Sequence, residues 1–359
     1  MHRSTDTGSL VCVVVGGNAM KFTLKIWAVV LAGLAPLSQA CAWGSEGHEM
    51  VGAIADELLV NTEAGRQVRT ILGYNLSEAA KWADCIRSIK KEDDFELDHA
   101  PSGECKQFAP PAEQDRMENY VERNWSNCAS RPPGGCHTEY HFADVDIRRD
   151  GYSRQFIGTG PTDIVVAINS AVLVLQGKPP LERISIKDRK EAILLIAHFV
   201  GDIHQPLHVG SVYLNEKGEL VDPDALPKQA WALSKINRDY HTRGGNSLVF
   251  SSGQKLHGVW DSISWNHDKL APFVARAKAV PPTQAQVDML AALWASESVK
   301  LSRRAFDGLE FSDKGDDHKW RISASDPGAY KTKVDEIQKA QVAKAGARLA
   351  ELLQQIWPE

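Results

Sequence analysis

AILLIAHFVGDIHQPLHVG, residues 192–210, is the stretch whose reading decides the fold. The run from Ala192 to Ala197 is apolar on every face of a helix, and a helix apolar all round is a buried one. Pro206 ends it, since a proline there removes a backbone donor and clashes with the preceding turn. Yet this buried helix carries His198 and Asp202 one turn apart, then His204 and His208 on either side of the proline. Burying so many ionisable groups costs free energy unless something compensates them. Residues i and i+4 share a helical face, so His198 and Asp202 point the same way. A metal ion is the partner that imidazole nitrogen and carboxylate oxygen suit.

The rest of the chain repeats the theme. His257 and Asp261, in LHGVWD, have the same spacing; Asp84 lies in KWADCIR, His141 in EYHFAD and His48 in WGSEGHEM. A single histidine in an apolar helix is more often a hydrogen-bonded core residue, but two His-x3-Asp pairs beside HQPLH favour metal ligation. His204 follows His198 by six residues, roughly 240° around the helix, so it faces elsewhere. We read His204 and Gln205 as groups that orient ligands and backbone.

The chain reads as all-α. Apolar spacing of helical period predicts helices over 45–59, 77–89 with Ser77 as N-cap, 163–175, 187–205, 282–306 and 333–356. No run of alternating strands stands out. Residues 91–140 read as a long surface excursion held by disulfides, and 211–243 as a second irregular stretch. The candidate ligands span residues 43 to 261, so one domain, 43–359, must gather them.

Residues 1–42 read as an extension and a signal peptide, with translation starting at Met20. Lys21 and Lys25 form the basic region, Ile26 to Pro36 an apolar region too short to span a bilayer, and Ala40-Cys41-Ala42 a cleavage site. The remaining chain is expected to be secreted or periplasmic. It keeps Cys85, Cys105, Cys128 and Cys136, which predict two disulfides in any of three pairings. Removing Arg3, Lys21 and Lys25 from 41 basic residues and Asp6 from 46 acidic ones leaves a net charge of −7. That balance disfavours a non-specific nucleic-acid binder with a basic stripe.

Taken in order, WGxxGH (43–48), WAD (82–84), HFxD (141–144), HFVGDIHQPLH (198–208), RGGNS (243–247) and LHGVWD (256–261) resemble the S1/P1 nuclease family. These are secreted zinc enzymes that hydrolyse single-stranded DNA and RNA. The resemblance implies a mainly helical fold of the phospholipase C/P1 nuclease type holding three Zn2+. Asp84, His141, His198 and Asp202 would take one ion, and His208, His257 and Asp261 a second. The third would go to Trp43, through its α-amine and carbonyl, and to His48, with Asp202 as a bridge. A peptide nitrogen cannot readily donate to zinc, so Trp43 serves only once residues 1–42 are removed. The resemblance further implies Asp144 as the group that orients and deprotonates the attacking water, Arg87 beside the phosphate, Phe142 as a stacking surface for a nucleobase, and Asn246 as a residue shaping the cleft. Products would be 5′-phosphates, and 3′-nucleotides would be substrates too; no stable protein partner is implied. Three carboxylates against three divalent ions leave the site positive, so a phosphodiester is drawn in locally despite the acidic surface. Residues 211–243 and Ser262 depart from the family pattern, which leaves base preference open. A zinc phospholipase C, or a non-catalytic zinc-binding protein on the same scaffold, is the rival reading.

Overall fold

The helix expected over 187–205 runs from Arg189 to His204 in the computed structural model, which describes residues 43–130, 132–226, 230–263 and 269–359. The expected signal peptide and extension, 1–42, lie outside the described residues. In chain order the α-helices are α1 (Ser45–Leu58), α2 (Glu63–Leu72), α3 (Leu76–Ala79), α4 (Trp82–Cys85), α5 (Pro111–Arg123), α6 (Ile164–Leu175), α7 (Arg189–His204), α8 (Ala230–Asp239), α9 (Leu256–Asp261), α10 (Leu270–Lys278), α11 (Val287–Phe306) and α12 (Pro327–Ile356). The strands are short: β1 (Val145–Asp146), β2 (Gly210–Ser211), β3 (Leu248–Phe250), β4 (Leu309–Lys314) and β5 (Trp320–Ala324). The fold is mainly helical, as the resemblance implied.

α7 is the axis. Asp188 caps it by accepting from the Glu191 N–H, and every residue from Glu191 to His204 is buried. α1, α3, α6, α11 and α12 pack around it. α12 lies unusually close to α1, because a side chain at Gly346 would sit 2.5 Å from Ile54. The described residues from Trp43 onward form one compact unit.

The helix expected over 77–89 is broken. Asn75, not Ser77, precedes α3, and the N–H groups of Leu76 and Ser77 donate to Asp56 of α1 at 3.0 and 3.1 Å. The chain then turns at Ala80–Lys81 before α4 resumes. The other ends differ modestly: α11 starts after the Pro281–Pro282 lead-in, and α12 starts earlier, at Pro327, behind the Asp326 cap. The 91–140 excursion contains α5; its Cys105 pairs with Cys85 of α4, and its Cys128 with Cys136. The 211–243 stretch contains a short turn at Pro223–Ala225 and α8.

Two small sheets complete the frame. β5 lies between parallel β3 and antiparallel β4. Its buried Trp320 and Ile322 join Leu207, Leu256, Trp260 and Tyr330 in a second apolar cluster beneath α9. β1 pairs in parallel with β2, matching Val145 to Gly210 and Asp146 to Ser211. This two-residue ladder lays the HFAD segment alongside the end of the HQPLHVG segment.

Candidate metal centre

The break between α3 and α4 has a purpose. It frees the Ala80 carbonyl from the helix, and the His198 Nδ1–H donates to it at 2.7 Å. A carbonyl only accepts, so the proton sits on Nδ1 and the Nε2 lone pair points inward. The same logic fixes two more rings. His208 Nδ1 donates to the His141 carbonyl at 2.8 Å, and His257 Nδ1 donates to the Gly244 carbonyl at 2.7 Å. Such backbone partners are the usual way a protein sets the tautomer of a metal-binding imidazole.

All eight side chains expected as ligands converge. His48, Asp84 and His198 form one group, His141, His198 and Asp202 a second, and His208, His257 and Asp261 a third, the candidate atoms in each lying within 4.8 Å of one another. Asp202 is the hub. Its Oδ2 is 3.0 Å from His141 Nδ1 and 3.2 Å from His198 Nε2, while Oδ1 is 3.2 Å from His48 Nε2 and 3.9 Å from His208. His48 therefore groups with Asp84 as well as with Asp202. Trp43 is fully buried beside them; its indole N–H donates to the Gly201 carbonyl at 2.7 Å, and the next N–H, of Gly44, donates to the Asp261 carbonyl at 3.0 Å. Gly201 admits the neighbouring ring, since a Cβ there would lie 2.8 Å from His48 Nδ1.

The polar atoms do not satisfy one another. His208 Nε2 faces His257 Nε2 at 3.1 Å, and both are lone-pair nitrogens by the argument above. Asp84 Oδ2, Asp202 Oδ1, Asp261 Oδ2 and both nitrogens of His48 are buried without an aligned hydrogen-bond partner. Buried groups of this kind are costly unless paired. The donor set, imidazole nitrogen and carboxylate oxygen, is the set zinc takes, so the residues fit such an ion.

The electrostatics agree. Burial drives the His141 pKa down to about 4, and burial with the neighbouring His208 drives that of His257 down to about 3, so both rings are held neutral. Burial also lowers His48. His198 is raised, because the Asp202 and Asp84 carboxylates outweigh its burial. Burial works to raise Asp202 and Asp84, but the imidazoles, His198 foremost, hold both below the usual carboxylate range. Asp261 goes the other way, pushed well up by burial although Gln205 donates to its Oδ1 at 2.8 Å.

Asp144 is buried just off this cluster, its carboxylate 3.1 Å from His241 Nε2. Arg87 reaches back to Asp84 Oδ1 at 3.2 Å, which places its guanidinium at the ligand set. Phe142, next to His141, is 38 % exposed, an aromatic face left to solvent beside a buried histidine. Asn246 donates to the Arg243 carbonyl at 3.1 Å, stiffening the turn whose Gly244 carbonyl holds His257. His204 turns away as its spacing predicts: Nδ1 donates to the Val200 carbonyl and Nε2 accepts from Arg348 of α12 at 3.0 Å. Sequence reasoning missed His241 and Tyr213, which lie at the ends of the irregular stretch and belong to no motif.

Comparison with known proteins agrees with this geometry. The chain is similar to "Endonuclease 2" of Arabidopsis thaliana, 26 % identical over 226 residues, covering 61 % of this chain and 55 % of that protein. It is also similar to "Endonuclease 1" of the same organism, 24 % identical over 245 residues, covering 66 % of this chain and 60 % of that protein. The chain thus spans little more than half the length of these relatives. The profile described as S1/P1 Nuclease matches residues 43–358, nearly all that the structure describes and every residue of the cluster. The chain belongs to the S1/P1 nuclease family.

Proposed function

We propose that this protein is a zinc-dependent phosphodiesterase that cleaves single-stranded DNA and RNA to 5′-phosphorylated products and also dephosphorylates 3′-nucleotides. The observation that carries the reading is the pair of lone-pair nitrogens, His208 Nε2 and His257 Nε2, held 3.1 Å apart by two backbone carbonyls. A bound cation makes that arrangement favourable.

His48, Asp84, His141, His198, Asp202, His208, His257 and Asp261 would hold the metal, three Zn2+ in all. The main chain of Trp43 joins them after release of residues 1–42. Secretion is then also the step that completes the site. When bound, zinc supplies the positive charge that draws in a phosphate and eases deprotonation of water. The chain's own residues do the rest. Asp144 accepts the proton of the attacking water. Its backbone is pinned for this, donating to the Gly158 carbonyl and accepting from the Tyr213 hydroxyl, each at 2.8 Å. Arg87 neutralises the phosphate from the Asp84 side. Phe142 offers a stacking surface, which tolerates any base and needs an unpaired one.

The test uses protein that begins at Trp43, its zinc measured by mass spectrometry, incubated with a single-stranded oligonucleotide before and after chelation. We expect zinc-dependent cleavage leaving 5′-phosphate and 3′-hydroxyl ends. Absence of cleavage by the zinc-loaded protein, or 3′-phosphate ends, overturns the reading. Faster hydrolysis of phosphatidylcholine than of the oligonucleotide would assign the site to lipid instead.

A further inference from the structure

The excursion over residues 214–240 leaves and rejoins the fold at two residues that both grip Asp144. Tyr213 and His241 face each other across an isolated antiparallel bridge, and the Leu214 N–H donates to the Tyr240 carbonyl at 2.9 Å. The Tyr213 hydroxyl donates to the Asp144 carbonyl at 2.8 Å. His241 Nε2 lies 3.1 Å from Asp144 Oδ2. The two rings stack, centroids 5.0 Å apart and planes 11° from parallel, so the imidazole has a fixed bed. Further contacts tie the excursion to the same loop: Arg149 pairs with Asp222 and Asp224, and Asp224 Oδ1 accepts from the Ile157 N–H at 2.7 Å.

Among the described residues, His241 is the one basic side chain in ion-pair contact with the Asp144 carboxylate. The approach is oblique, a close contact and not yet an aligned hydrogen bond. Bonds of this kind commonly tighten when substrate binds.

We propose that His241 is a positioning residue for Asp144. This rests on the reading of Asp144 as the proton acceptor. A carboxylate only accepts, so Nε2 carries the proton toward Oδ2. That contact fixes the rotation of the carboxyl group and leaves Oδ1 to take the proton of the attacking water. His241 reaches Asp144 from the point where the excursion rejoins the fold.

The experiment compares H241F, H241Q and D144N as zinc-loaded proteins, measuring kcat and KM on a single-stranded oligonucleotide together with zinc content and Tm. Phenylalanine keeps the stack on Tyr213 and loses the donor; glutamine restores an N–H near the position of Nε2. We expect H241F to lower kcat about 10- to 100-fold, the range for residues that orient a functional group. KM, zinc and Tm should stay unchanged, and H241Q should recover most of the loss. Wild-type kcat in H241F, an H241Q as impaired as H241F, or a loss confined to KM overturns the assignment. Should H241F melt early or lose zinc, H241N, whose shorter amide cannot reach Oδ2, takes its place against H241Q. An active D144N would sink the reading of Asp144 itself, whereas a disabled D144N beside an unimpaired H241F sinks only the role of His241.

Discussion

A single ring nitrogen decides what each histidine of the cluster can do. Where Nδ1 is committed to a backbone carbonyl, as in His198, His208 and His257, Nε2 is the nitrogen left to face the cluster, and on the proposed reading it is the one offered to metal. For Asp144 the task proposed above is proton transfer. Replacing it with asparagine should leave zinc content unchanged and reduce kcat by about 10²–10⁴, the span of a lost general base; steady-state kinetics on an oligonucleotide, with metal analysis alongside, checks it. Gly201→Ala tests the packing behind the ligands. The new Cβ would meet His48 Nδ1 at 2.8 Å, so the ring must move. We expect loss of the ion that His48 helps hold and a stability cost of about 1–3 kcal/mol, typical of overpacking, read by metal analysis and thermal melting. Four of the candidate ligands stood out by helical spacing, since His-x3-Asp puts both groups on one face whatever the rest of the fold does; His48, Asp84, His141 and His208 rested on their motifs and on the family resemblance. His241 was not legible, since it meets Asp144 only through the return of a long excursion.

Among the elements, α7 was the most legible because its apolar run admits no exposed face. The stretch 77–89 was the least. Its apolar spacing is helical, but an unbroken helix would consume the Ala80 carbonyl that His198 needs, and a tertiary contact overrode the local pattern. The β4–β5 pair escaped notice for a related reason: Leu309, Phe311, Trp320 and Ile322 alternate, but the segments are brief and charged between. Asp56 joins α1 to α3 and gives that junction a pH dependence. Burial pushes its pKa up to about 6, against the two N–H donors that lower it. The folded value exceeds the unfolded one, about 3.9. The folded state therefore binds the proton more tightly, and this contribution is full below about pH 4 and lost as pH rises through 6. Compared with Asp56→Asn, which keeps an acceptor but cannot ionise, the parent protein should lose on the order of 2–3 kcal/mol between those limits. Urea titrations of both proteins at several pH values measure the difference; parallel curves would refute it.

For the whole molecule, the four cysteines announced a stapled surface, but spacing alone left the pairing open. The Cys85–Cys105 bridge closes a separation of 20 residues and begins one residue after Asp84. Loop-closure entropy assigns such a bridge about 3 kcal/mol. The Cys85→Ser, Cys105→Ser double variant should therefore melt earlier and, with Asp84 less firmly held, bind zinc more weakly; calorimetry and competition with a chromogenic chelator report the two effects. The candidate residues between His48 and Asp261 meet within one compact unit. The means of gathering them was not legible in the sequence: the β1–β2 ladder, two residues long, aligns segments some sixty-five positions apart. The buried seat of Trp43 has a practical side. A purification handle fused directly ahead of it would leave its nitrogen an amide, unable on the proposed reading to join the site, while its indole stays seated on Gly201. Recombinant production should place the handle behind the exposed Glu359, or else cut it away without leaving a scar.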